Sequence, residues 1–168
     1  MGLDLTEKLS AHFTLGEFLA SDAAAAHGIV NEPEPEHIEN LRQTAERLET
    51  YRAFLNATFG GGIEIRITSG YRARTLNLAI GGSATSDHTR GLAADWYAVK
   101  RETGERIMLR MIWYVVTQAT GEEWDQLILY PSDADNRYGR VHTGYGDKMR
   151  RQVLTRTATG YDTELPFS

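Results

Sequence analysis

An α+β fold, with helices packed on a small, mainly antiparallel sheet, is what this chain predicts. Three observations carry that expectation. A long apolar stripe with helical spacing occupies the first third of the chain. Short segments with strand-like patterning follow, most of them after residue 90. The segments between are rich in Gly, Ser, Asn and Asp. At 168 residues the chain has the length of one domain, taken to span residues 1–168 with an irregular tail over 158–168.

The opening, LSAHFTLGEFLAS, carries Phe13, Leu15, Phe18 and Leu19 and predicts a short helix against the body. Ala23 to Ala26 form a run too short to define an element. VNEPEPEH places two prolines among acids and reads as a turn into a helix. In that helix Ile38, Leu41, Ala45, Leu48, Tyr51 and Leu55 recur at spacings of three and four, and Gly60 to Gly62 stop it. Ile63, Ile65 and Ile67 then alternate with Glu64, Arg66 and Thr68, the pattern of a half-buried strand. Residues 69–90 read as loop with a short helix around Leu76, and residues 92–99 as a second strand. Ile107, Met108, Met111, Ile112, Val115 and Val116 predict a second long helix. Strands are expected at 126–130, 140–145 and 152–156, with PSDADNRYG as a turn-forming loop after the first of these.

Composition narrows the functional classes. Hydrophobic residues make up 41% and charged residues 24%, ordinary for a globular chain. No apolar run approaches the length of a membrane span. The start, MGLDLTEKLSAHF, lacks the basic and apolar regions of a secretory signal, so the cytoplasm of the producing cell is the expected location. Cysteine is absent, which removes disulfides and thiolate metal sites together. A net charge of −5 without a long basic run argues against a nucleic-acid partner.

Any metal must therefore use His, Asp or Glu. Of the histidines, His12, His27 and His37 read as surface or capping residues. His88 stands in SDHTRGLAAD, seven residues before Asp95. On a continuous helix those two would be about 10 Å apart and could not share an ion. If His88 ends a loop and Asp95 lies on the strand after Gly91, the two can converge. His142, in GRVHTG on a neighbouring strand, is the best candidate for a third ligand. Two histidines and a carboxylate would leave one position of a zinc ion open, the pattern of a catalytic site. Spacing alone does not separate this from an Asp that caps a turn.

The run SGYRARTLNLAIGGSATSDHTRGLAAD resembles the core of peptidase family M15, the zinc D-Ala-D-Ala carboxypeptidases and related phage cell-wall endopeptidases. The matching features are the SGYR turn at Ser69 to Arg72, Leu76 with Asn77, the loop Gly81 to Ser83, and Ser86 through Asp95. LSAHFTLGEFLAS, GIVNEP, WDQLIL and VHTGY extend the likeness from about Leu9 to Tyr145. The resemblance implies a hedgehog/DD-peptidase-like fold and Zn2+ on His88, Asp95 and His142. It further implies that Arg72 grips a substrate carboxylate or the developing oxyanion, and that Ser86 helps orient substrate. Peptidoglycan stem peptides or cross-links would be the substrate.

The pattern breaks at the proton carrier. Relatives place a carboxylate at the end of the WDQLIL-like strand or three residues before the last histidine, and those places hold Tyr130 and Gly139 here. The Trp that often stands two residues before the last ligand is Arg140. Asp135, or less directly Asp133, could supply a carboxylate from the loop, and Tyr130 could hydrogen-bond the oxyanion. Two readings follow: a peptidase, released at lysis or carried by a phage particle, or a weakly active or inactive M15-like module serving a virion tail or capsid, with other virion proteins as partners.

Overall fold

The computed structural model describes residues 2–167. After a turn, Thr14 and Glu17 close a capping box on the short helix α1 (Leu15–Leu19), whose Leu15 and Phe18 are buried. Ser21 caps α2 (Asp22–His27) by accepting from the Ala24 amide. This helix is an addition to the sequence reading: the alanine run is short, but its cap and the left-handed Gly28 that ends it define a full turn and a half.

Helix α3 (Pro35–Phe59) is the main support of the domain. Pro35 occupies the first helical position, where its missing amide costs nothing, and the helix stops at Gly60. Leu41, Ala45, Leu48, Tyr51 and Leu55 are all fully buried, so the predicted stripe is the face that meets the sheet. Tyr51 stacks on Trp96, with ring centres 5.9 Å apart and planes 18° from parallel.

Among the described residues six strands make one sheet: β1 (Ile63–Ser69), β2 (Ala93–Lys100), β3 (Gln126–Pro131), β4 (Gly139–Gly144), β5 (Gln152–Thr157) and β6 (Gly160–Asp162). Their order across the sheet is β1-β2-β4-β3-β5-β6. Every pairing is antiparallel except β3 with β5, which is parallel. A short helix, α4 (Arg74–Ala79), and a 3-10 turn (Asp87–Arg90) interrupt the loop between β1 and β2. The sheet and helices agree with the α+β expectation.

The two faces of the sheet differ in kind. Ile63, Ile65, Trp96, Leu127, Leu129 and Val141 point into the helices and form the core. Their alternating neighbours, including Thr68, Asp95, Tyr130, Arg140, His142 and Arg156, lie on the other face, which the helices leave uncovered.

Two expectations are refined. The second helix starts later than expected: α5 (Leu109–Tyr114) begins only after Ile107 has bonded to Ala98 and Leu109 to Arg137, and it continues without a break as a π-helix over Val115–Ala119. Strand β5 joins the sheet in parallel, because Asp125 holds the chain just ahead of it. The Asp125 carboxylate accepts from the Arg150 amide at 2.7 Å and from its guanidinium at 2.6 and 3.0 Å, and Gln152 N donates to the Asp125 carbonyl. The tail is also more ordered than expected, since β6 pairs back on β5; Ser168 lies outside the described residues.

The SGYR turn is fastened to the helices before it reaches the open face. Tyr71 N donates to the Phe18 carbonyl at 2.8 Å. Asn31 donates to the carbonyls of Leu19 and Tyr71 and accepts from Ala73 N at 2.7 Å. A Cβ on Gly70 would lie 2.5 Å from the Phe18 carbonyl oxygen. Gly70→Ala should therefore lower stability in urea titrations by about 1–3 kcal/mol, the cost of forcing backbone apart in a packed region.

Asp125 yields a pH prediction. Hydrogen bonds from Arg150 hold its carboxyl below the usual range. A depressed folded pKa contributes stability that is present above the unfolded pKa, about 3.9, and is lost as pH falls through the folded value. Asp125→Asn should cost about 1–3 kcal/mol at pH 7. In urea titrations across pH, that penalty should shrink below about pH 4.

Candidate metal centre

On the uncovered face, the register of β2 against β4 sets Asp95 directly opposite His142. The 3-10 turn delivers His88 above them. His88 Nε2, Asp95 Oδ1 and His142 Nδ1 form a nearly equilateral triangle with edges of 2.9, 3.0 and 3.1 Å. Ligand atoms on a tetrahedral zinc at 2.0–2.2 Å lie about 3.3–3.6 Å apart, so a few tenths of an ångström of opening fits the ion.

The donor chemistry points the same way. His88 Nδ1 donates to the Gly70 carbonyl at 2.6 Å, which leaves the Nε2 lone pair directed at the cluster. Three lone-pair atoms at these separations repel one another unless a proton or a cation lies among them. Burial pushes the pKa of His88 down, so its neutral, ligating form is favoured. Burial alone would raise Asp95, while positive charge on His88 and His142, present when those rings are protonated, outweighs it and holds its carboxyl well below the usual range. The cluster is the group of His, Asp and Glu residues that could hold a metal ion among the described residues.

The turn carrying His88 is braced from α3. Thr44 donates to the Gly91 carbonyl at 2.9 Å and Asn40 to the Arg90 carbonyl at 2.9 Å. The turn also fixes its neighbour, because Arg72 N donates to the His88 carbonyl at 3.1 Å. The Arg72 guanidinium enters a cleft of about 410 Å³ whose walls include His88, His142, Tyr130 and Tyr161. Its Nε is buried without a hydrogen-bond partner. Burial lowers the Arg72 pKa while nearby Asp95 opposes the shift, and the guanidinium remains a cation at neutral pH.

The other expected site residues divide. Ser86 lies on the cleft wall, and its carbonyl accepts from Thr89 at 2.8 Å. Tyr130 lines the cleft, and burial with the nearby Asp95 charge pushes its hydroxyl pKa up, so it is a donor and no base at neutral pH. Asp133 and Asp135 are not brought to the cluster. Asp133 accepts from Tyr138 N at 2.7 Å and closes its own loop, while exposed Asp135 pairs with Arg137 at 2.9 Å. Both acids follow the ordinary chemistry of a turn. Among the remaining histidines, His12 pairs with Glu49 at 2.9 Å and His37 stacks on Tyr71.

Three contributors escaped the sequence reading: Asn31, Tyr161 and Asp87. Asn31 stood in GIVNEP, where it looked like turn chemistry alone. Tyr161 stood in a tail without apparent pattern. Asp87 directly precedes His88 and is an acid on the cleft wall. Its Oδ2 and the His142 Nε2 each lie 3.2 Å from the place where a Cβ on Gly144 would stand. Gly144 thus leaves both groups the room they occupy.

A sheet face that gathers two histidines and a carboxylate beside a buried arginine is a donor set suited to a metal ion. The sequence model of the family described as Peptidase M15 matches residues 11–121, and the chain belongs to that family. The matched segment includes Arg72, His88 and Asp95 and ends before His142, whose place in the cluster rests on the sheet register. No curated protein matches the chain.

Gly144→Ala would set a methyl 3.2 Å from His142 Nε2 and should weaken zinc affinity about tenfold by shifting the ligating ring. Competition against a chromophoric chelator measures it, with unchanged circular dichroism as the control for folding.

Proposed function

We propose that this chain is a zinc-dependent peptidase acting on peptidoglycan stem peptides or their cross-links. The observation that carries the proposal is the convergence of His88 Nε2, Asp95 Oδ1 and His142 Nδ1 within 3.1 Å at the floor of an arginine-bearing cleft. Zinc held there would supply Lewis-acid polarisation of a carbonyl and a nucleophile at neutral pH.

The chain's own residues do the rest. The Gly70 carbonyl orients the His88 imidazole from behind. Arg72, fixed through its backbone to His88, holds a substrate carboxylate or the carbonyl oxygen as charge builds on it. Tyr130, kept protonated by its surroundings, donates a hydrogen bond to that same oxygen. The walls of the cleft orient the peptide against these groups.

Tyr130 also favours a second reading, a module that binds the cell wall and hydrolyses it weakly. Asp87 is the acid on the cleft wall outside the donor set, and it is paired with Arg90 at 2.8 Å. Proton transfer by a placed carboxylate contributes about 10²–10⁴-fold to rate, and this site forgoes it at the positions where relatives carry it.

Bacterial sacculi incubated with the protein, with zinc or with chelator, and analysed by mass spectrometry, separate the two readings. The peptidase reading expects zinc-dependent release of D-Ala or of cleaved cross-links. Tyr130→Glu should then raise the rate by about 10²-fold or more. Protein shown to contain zinc that releases nothing, as wild type and as Tyr130→Glu, would leave the binding module standing.

A further inference from the structure

On the far side of Tyr130 from the metal cluster, the open sheet face holds a second hollow of about 270 Å³. Arg106, Arg140 and Arg156 line it, and no carboxylate does. These three arginines form no ion pair among the described residues. In a chain of net charge −5, such a concentration of unpaired cations is the reverse of the average surface.

The guanidiniums are held by aromatic faces instead. Arg106 lies 4.0 Å over the Tyr97 ring, Arg140 4.5 Å over Tyr130, and Arg156 4.9 Å over Tyr161. Stacking occupies the flat face of a guanidinium and leaves the in-plane N–H donors at its edge free. Arg156 gives one of them to the Gly160 carbonyl at 3.3 Å, and the buried Nε of Arg106 has no partner. Three positioned donor edges around a hollow with no acid on its walls make a receptor for an oxyanion.

We propose that this hollow is an anion subsite that takes a carboxylate of the substrate remote from the bond being cut. The substrate class is therefore an acidic peptide with a free side-chain carboxylate; the word substrate rests on the peptidase reading above. Tyr130 is a wall of both hollows, so one short peptide can reach both. The volume suits a single side chain, and the overall negative charge disfavours a polyanion. Arg140 belongs to this subsite, which gives a purpose to the residue that departs from the family's usual Trp.

The test uses the full chain and two synthetic stem-peptide fragments. Both keep the terminal carboxylate; the side-chain carboxylates are free in one and amidated in the other. Calorimetry should show the free form binding about tenfold tighter, a modest yield for charge-assisted hydrogen bonds. In the exposed double variant Arg140→Gln/Arg156→Gln that preference should vanish, with affinity for the amidated form and zinc content unchanged. Arg106→Lys should reduce the preference without abolishing it, since it keeps the charge and loses the fork. Equal affinity for both fragments, binding of neither, or a preference that survives in the double variant overturns the subsite. Inorganic phosphate binding tighter than the acidic fragment would assign the hollow to phosphate and overturn it as well. Preference without hydrolysis would sink the peptidase reading alone, and hydrolysis without preference would sink the subsite alone.

Discussion

The hydrogen bond from His88 to the Gly70 carbonyl, 2.6 Å long, is the constraint on which the open face depends. It chooses which ring nitrogen of His88 faces the cluster. It also ties the 3-10 turn to the SGYR turn, and thereby ties the position of Arg72 to that of His88. The Gly70 carbonyl is itself held, because the peptide that follows it bonds to Phe18 of α1 and Asn31 clasps both sides of Arg72. A helix and a loop in the first third of the chain thus set the aim of a histidine on the far side of the sheet. The bond is buried, which strengthens its electrostatics and makes its loss costly.

Much of this was legible in the residues themselves. The stripe of α3 could be read because a helix packed on a sheet must present one continuous apolar face, and Ile63, Ile65 and Ile67 announced β1 by simple alternation. The approach of His88 to Asp95 followed from the turn that Gly91 ends. Other features depend on distant contacts and leave no local pattern. The parallel placement of β5 comes from Asp125 gripping Arg150, 25 residues away, and β6 exists because β5 offers it an edge. Asp135 looked like a reasonable acid in sequence, yet Arg137, two residues on, is a nearer partner than the cleft. Asn31 read as turn chemistry because its work is done 40 residues later, at Tyr71.

The two faces of the sheet divide the labour. One is dry and packed, and it fixes the register that brings Asp95 opposite His142. The other carries polar and cationic residues in alternation with that core, so the same period-two pattern that stabilises the sheet also spaces the open-face groups. Arg72 and the aromatic-stacked arginines give this face a local potential opposite to that of the molecule. An acidic protein with a basic cleft repels anions broadly and attracts them locally, a combination that favours selectivity over retention.

The order of the donors along the chain has a consequence for biogenesis. His88 and Asp95 leave the ribosome close together, but His142 follows Asp95 by 47 residues, and the Asp125–Arg150 clasp that anchors the parallel strand comes later still. Chains fold as they are made, N-terminal parts first. A nascent chain can therefore build the helical platform and the first two strands while its donor cluster remains incomplete. The three donors converge only once the last strands have docked, so assembly of the sheet is also the step that completes the cluster.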